Sequence, residues 1–171
     1  IKKINQDRKK KIIVILTSLK DEDYLVHFLN RCDLSNYQIV LSAHPAFFDS
    51  TETYFKKNFK FDFITLKKYH SREIMDAADL IISGYASLAY EAFFQGLNIV
   101  RIEDYFRPNW TDKKDFIPVL KNPANFKKYL TKQNKISTSL ISKIEKKYFY
   151  KFDQKTHERF CKIMKNFKKC F

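Results

Sequence analysis

The run from Ala77 to Ala92, AADLIISGYASLAYEA, holds the residues whose types and spacing say most about chemistry. Leu80-Ile81-Ile82 is apolar without polar alternation, as a strand covered on both faces must be. Ser83-Gly84 ends it, and Gly84 either takes a positive φ or lets another group close against the backbone. Ser87 is placed to cap a helix over Leu88 to Gln95, with Gly96 as its stop. A helix start presents unpaired N–H groups and a partial positive charge, which stabilise an anion without any special side chain. Ser83, Gly84, Tyr85, Ala86 and Ser87 therefore read as a seat for phosphate. Glu91, four residues beyond the cap, is spaced to accept hydrogen bonds from a pair of sugar hydroxyls. His44-Pro45 is the second pattern. Proline holds the residue before it extended, so the imidazole is presented at a strand end, able to donate to a phosphate oxygen or offset charge on a leaving group. His44 is the catalytic candidate on that reasoning.

The elements that must position these residues alternate along the chain. Lys11 to Leu16 reads as a buried strand whose loop opens with Thr17 and Ser18. A helix follows from Asp21 to Arg31, with acids in its first turn and Leu25, Phe28 and Leu29 on one face. Tyr37 to Ser42 is a second strand, and Asp49 to Asn58 a second helix capped by Ser50 or Asp49. Phe61 to Leu66 is a third strand, Arg72 to Ala77 a short helix, Leu80 to Ser83 a fourth strand and Asn98 to Ile102 a fifth. This order predicts an α/β fold with a doubly wound, mainly parallel, Rossmann-like sheet and right-handed crossovers. Further on, a loop with Pro108 and Pro118 leads to a strand-like 116–120 and to helices near 125–132, 137–147 and 157–167. One domain over 1–171 is expected, with a flexible basic lead-in over 1–10 and a helical tail over 121–171 packed on the sheet. Ligands of such sheets lie at the carboxyl ends of the strands. There the pattern gathers Thr17, Ser18, His44, Pro45, Lys67, Lys68, Tyr69, His70, Ser71, the Ser83 to Ser87 turn, Arg101, Glu103 and Asp104. Lys67 and Arg72 are additional phosphate candidates.

At 171 residues, 44% hydrophobic and 16% aromatic, the chain is long enough and apolar enough to bury a core unaided. The formal net charge of +14 is spread over the whole length. It favours an anionic partner, whether a nucleotide, an acidic polysaccharide, nucleic acid or the cytoplasmic membrane face. No basic-aromatic recognition motif marks a specific nucleic-acid binder. Cys32, Cys161 and Cys170 are odd in number and lack metal-ligand spacing, as expected of reduced cytoplasmic thiols. Neither a metal nor a cofactor is expected. No apolar run approaches the ~20 residues of a membrane-spanning helix, and no signal-peptide pattern is present. The first residue is Ile1 rather than Met, as expected of a fragment or a trimmed chain.

The stretch from Ala78 to Ala92, followed by Gln95-Gly96-Leu97-Asn98-Ile99-Val100, resembles the donor-site turn of GT-B glycosyltransferases. His44-Pro45 is similar to the His-Pro motif of bacterial capsule and teichoic-acid type transferases. These include polysialyltransferases and CDP-glycerol glycerophosphotransferases, which use cytidine-activated donors. Phe152-Asp153-Gln154 to Arg159 resembles a late segment of the glycerophosphotransferases. The likeness runs from about Lys11 to Lys165 and corresponds to the C-terminal, donor-binding half of a GT-B enzyme. It implies a cytidine- or uridine-activated nucleotide-sugar or CDP-polyol donor, with phosphates at His44 and the Ser87 helix end and the ribose at Glu91. It further implies a polysaccharide or lipid-linked acceptor, a role in surface polysaccharide biosynthesis, and a cytoplasmic location peripheral to the inner membrane. Ala86 stands where many relatives carry serine, Asn98 where proline is frequent, and Gln154 where glycine is usual. With no acceptor domain recognisable in the sequence, this chain alone is expected to bind donor without turnover. Two other readings stay open: a sugar-nucleotide epimerase or hydrolase of the same fold, for which no acidic pair is seen, and a non-catalytic basic module binding nucleic acid.

Overall fold

Five consecutive apolar residues form β1 (Ile12–Leu16), and none is more than 1% exposed. A strand buried along its whole length has both faces covered, the position its unbroken apolar sequence calls for. The computed structural model describes residues 10–18, 20–65, 67, 71–102, 117–131, 139 and 142. By its internal contacts the chain divides into two compact units, Ile1–Lys135 and Ile136–Phe171. The first contains the sheet. β1 pairs in parallel with β2 (Gln38–Ser42) on one side and with β4 (Leu80–Ser83) on the other, Val14 standing opposite both Val40 and Ile81. β3 (Ile64–Thr65) joins β2, and β5 (Ile99–Arg101) joins β4, also in parallel. The order β3-β2-β1-β4-β5 makes an α/β, Rossmann-like sheet whose direction of winding reverses between β1 and β4. That reversal opens a crevice at the carboxyl ends of those two strands.

The helices are α1 (Glu22–Leu29), α2 (Phe48–Asn58), α3 (Ser71–Asp76), α4 (Leu88–Phe94) and α5 (Phe126–Thr131). α1 buries Leu25, Phe28 and Leu29 as expected, together with Tyr24 and Val26. Each fully buried Leu or Phe contributes roughly 1.5–3 kcal/mol from removal of apolar surface. β1 and β4 are held in step at their first residues by Asp79. Its carboxylate accepts from the Ile12 N–H (2.8 Å) and its own N–H donates to the Ile12 carbonyl (2.9 Å).

Several local expectations are corrected. α2 is capped by neither Ser50 nor Asp49. Pro45 starts a 3-10 turn over Pro45–Phe47 that runs straight into α2, so both residues fall inside the helix and the side-chain cap moves upstream to His44. β3 is two residues long rather than spanning 61–66. Phe61 and Phe63 leave the ladder to make ring contacts with Phe59 and Phe55. Ser87 sits at the N-cap position of α4 with helical backbone angles and no side-chain cap bond, because a cap needs extended angles to swing its oxygen over the first turn. Gly84 is not at positive φ, whereas Gly96 is (φ 74°) and ends α4 as a left-handed stop. The strand-like 116–120 is realised as a single parallel bridge between Arg101 and Val119. The lead-in up to residue 9, Lys68, Tyr69, His70, Glu103, Asp104, Pro108 and the Phe152 to Arg159 segment lie outside the described residues. So do the helices expected near 137–147 and 157–167, but for Ser139 and Ser142, which are helical.

Candidate functional site

The loops after β1, β2 and β4 meet at the crevice. Thr17 and Ser18 from the first, His44 and Pro45 from the second, and Tyr85, Ala86 and Ser87 from the third line one cleft of about 230 Å³. Ser42 and Ser71 close it on the β2 side, where the Ser42 hydroxyl donates to the Ser71 hydroxyl (3.0 Å). Thr17 is buried and its Oγ1 has no partner among the described residues, which leaves a hydroxyl unsatisfied beside the cleft. A buried polar atom without a partner costs about 1–3 kcal/mol, so a ligand oxygen reaching it would recover that cost.

His44 adopts φ −59° and ψ 133°, the extended conformation a following proline imposes. Its Nδ1 accepts the Ala46 N–H at 3.2 Å, and its ring lies 5.6 Å from that of Phe47, centroid to centroid. With Nδ1 committed as an acceptor, the neutral ring carries its proton on Nε2, which is left as a donor.

Ser83 and Gly84 stand below the cleft rather than in its lining. Ser83 is fully buried, its hydroxyl turned to the Gly84 carbonyl (3.3 Å). Gly84 is needed for space. A Cβ there would fall on the Tyr24 hydroxyl and 2.5 Å from Asp21 Oδ2. Arg72 and Glu91 are brought together, Nη2 to Oε1 at 2.6 Å, so the carboxylate spaced for a sugar is held by the guanidinium expected at a phosphate. Lys67 lies in an adjoining pocket of about 320 Å³ that shares Ser42, Ala43, Pro45 and Ser71 with the cleft. There its ammonium bonds Asp49 (2.8 Å) and covers the Phe48 ring (4.5 Å). That hydrogen bond holds the Asp49 carboxyl below its ordinary range and raises the Lys67 ammonium above its own. Arg101, expected on the rim, is instead buried in β5 with its guanidinium 5.1 Å from the Tyr90 ring centroid. Among the described residues no cluster of metal-ligating side chains occurs.

Asp21 is the residue the sequence pattern missed. It occupies the N-cap position of α1, yet its side chain makes no cap bond. Oδ2 turns back to accept the Ser18 N–H (3.0 Å) and, across the crevice, the Tyr85 N–H (2.9 Å). An acid three residues after Ser18 at a helix start reads as a cap, and its second bond, 64 positions away, leaves no periodic trace.

No protein-family model matches the sequence, and no curated protein does. Among solved structures, the wall teichoic acid polymerase TagF aligns with 98% of this chain and 46% of its own, at 17% identity and a TM-score of 0.52. The chain shares its α/β fold with part of that structure. A TagF variant solved with CDPG aligns at 20% identity and a TM-score of 0.48, over 87% of this chain and 38% of that one. The chain thus spans less than half the length of the structures it matches.

Proposed function

We propose that this domain binds a nucleotide-activated donor, cytidine- or uridine-linked, as the donor half of a glycosyl- or polyol-phosphate transferase of bacterial surface polysaccharide synthesis. One observation carries the reading: three separate loops bring His44, the hydroxyls of Thr17 and Ser18, and the Tyr85 to Ser87 turn onto a single cleft at the sheet's reversal point. Hydroxyl and imidazole donors around a small cleft suit a phosphate diester or diphosphate. They contact oxygens that gain charge as the nucleotide leaves, and so stabilise the leaving group more than the intact donor. His44 Nε2 is the assigned donor to that phosphate. Glu91, oriented by Arg72, is the assigned partner of the ribose hydroxyls. The acceptor is assigned as a polysaccharide or lipid-linked chain, reached at the cytoplasmic membrane face.

The test is a thermal-melt and calorimetric panel of cytidine, uridine, guanosine and adenosine diphosphates together with cytidine monophosphate. A cytidine or uridine nucleotide is expected to raise the melting temperature, and His44→Ala to abolish the rise. No stabilisation by any of them at millimolar concentration sinks the reading.

A further inference from the structure

We propose that Asp21 is the positioning residue of the cleft, a buried carboxylate whose one oxygen fixes the loop after β1 and the turn after β4 at their working separation; the inference rests on the nucleotide reading above. Asp21 is 1% exposed and stands behind the lining rather than in it. Ser18 and Tyr85, two residues that do line the cleft, donate their backbone N–H groups to the same atom, Oδ2. No ladder bond joins β1 to β4 beyond the Leu16–Ser83 register, so past the strand ends this oxygen ties the two lips together. One further feature makes room for it: Gly84 leaves the space that Oδ2 fills. Lys20, just before Asp21, takes the left-handed backbone (φ 64°), a conformation side-chain-bearing residues adopt only when their surroundings demand it.

Because both amides end on one oxygen, the carbonyl of asparagine can replace it, whereas alanine cannot. The experiment measures the affinity of this chain for cytidine 5′-diphosphate by calorimetry, well below the melting temperature, alongside amide hydrogen exchange at Ser18 and Tyr85. Asp21→Ala is expected to weaken binding by about tenfold or more, the scale of displaced site geometry, while Asp21→Asn stays within about threefold of wild type. Leu29→Ala, a remote and fully buried site in α1, serves as the control for destabilisation alone and is expected to leave affinity unchanged. Ser18 and Tyr85 should lose exchange protection together in Asp21→Ala and keep it in Asp21→Asn. Should Asp21→Ala fail to fold, Gly84→Ala applies the same displacement from the other side and is expected to weaken binding similarly. Wild-type-like affinity in Asp21→Ala or Gly84→Ala, an asparagine variant as weak as the alanine one, or an equal loss in Leu29→Ala overturns the inference and leaves the nucleotide reading standing. If the wild type binds no nucleotide, the nucleotide reading falls instead. The tie is then judged by exchange: joint loss of protection in Asp21→Ala supports it, and retained protection overturns it.

Discussion

At the scale of single residues, His44 does two jobs that substitution can separate. Its Nδ1 caps the turn that starts at Pro45, and its Nε2 is the proposed donor to phosphate. Asparagine caps through its side-chain oxygen about as well as any residue, whereas alanine loses about 1 kcal/mol of cap. His44→Asn is therefore expected to unfold in urea at the wild-type midpoint yet lose the nucleotide-induced rise in melting temperature. His44→Ala should lose both. Equal nucleotide shifts in wild type and His44→Asn would leave the imidazole a cap and nothing more. Cys32 provides a residue-scale test of the core. Burial is the main cause that pushes its thiol up to about 11, so the thiolate that reacts with iodoacetamide is scarce at pH 8. Peptide mapping should find Cys32 unlabelled at pH 8 in the native protein and labelled rapidly in about 8 M urea, where a small domain unfolds.

Among the elements, what could be read from sequence depended on whether the signal was local. The unbroken apolar runs at Ile12–Leu16 and Leu80–Ser83 gave their strands to within a residue, because total burial leaves no room for alternation. His44-Pro45 and the Ser83 to Ser87 turn were placed at strand ends by proline and glycine chemistry, which acts on immediate neighbours. β3 was read too long because Phe61 and Phe63 have strand-forming side chains, but their ring contacts with Phe59 and Phe55 outweigh the ladder. The Asp21 tie and the Arg72–Glu91 pair were invisible for a different reason: each joins segments well separated in the chain. The packing of α1 on α2 carries a pH signature of its own. Glu22 accepts from the Thr51 hydroxyl (2.6 Å), and a hydrogen bond to Asp23, then burial, raises the Tyr54 phenol to about 12 from its usual 10.0. A folded value above the unfolded one means the neutral phenol is favoured by folding. Its contribution is whole below pH 10 and is lost as pH climbs from 10 toward 12. Urea melts of wild type and Tyr54→Phe should differ at pH 9 and converge as the pH approaches 12, and a constant difference across that range would remove Tyr54 from the interface.

For the molecule as a whole, the proposed donor site has the charge and the cleft divide the work of binding an anion. The described lining of the cleft contains no lysine or arginine, while the chain carries +14 overall. On the proposed reading, short-range hold on a phosphate comes from hydrogen-bond donors, and long-range attraction from lysines elsewhere. These two contributions respond differently to salt. The field of distant charges is screened over a Debye length of about 30 Å at 0.01 M and about 3 Å at 1 M ionic strength, and such a field acts chiefly on the rate of encounter. Bonds made inside the cleft set the rate of escape and are screened far less. Stopped-flow binding of a fluorescent cytidine diphosphate should accordingly show an association rate that falls steeply with added salt and a dissociation rate that barely moves. Uncharged cytidine should show neither change. His44→Asn, by contrast, is expected to speed dissociation while leaving the salt dependence of association intact, because it removes a contact inside the cleft and leaves the distant lysines in place. A dissociation rate that climbs with salt as fast as association falls would mean that lysines grip the phosphate directly. The site would then have to be sought among the basic residues outside this cleft.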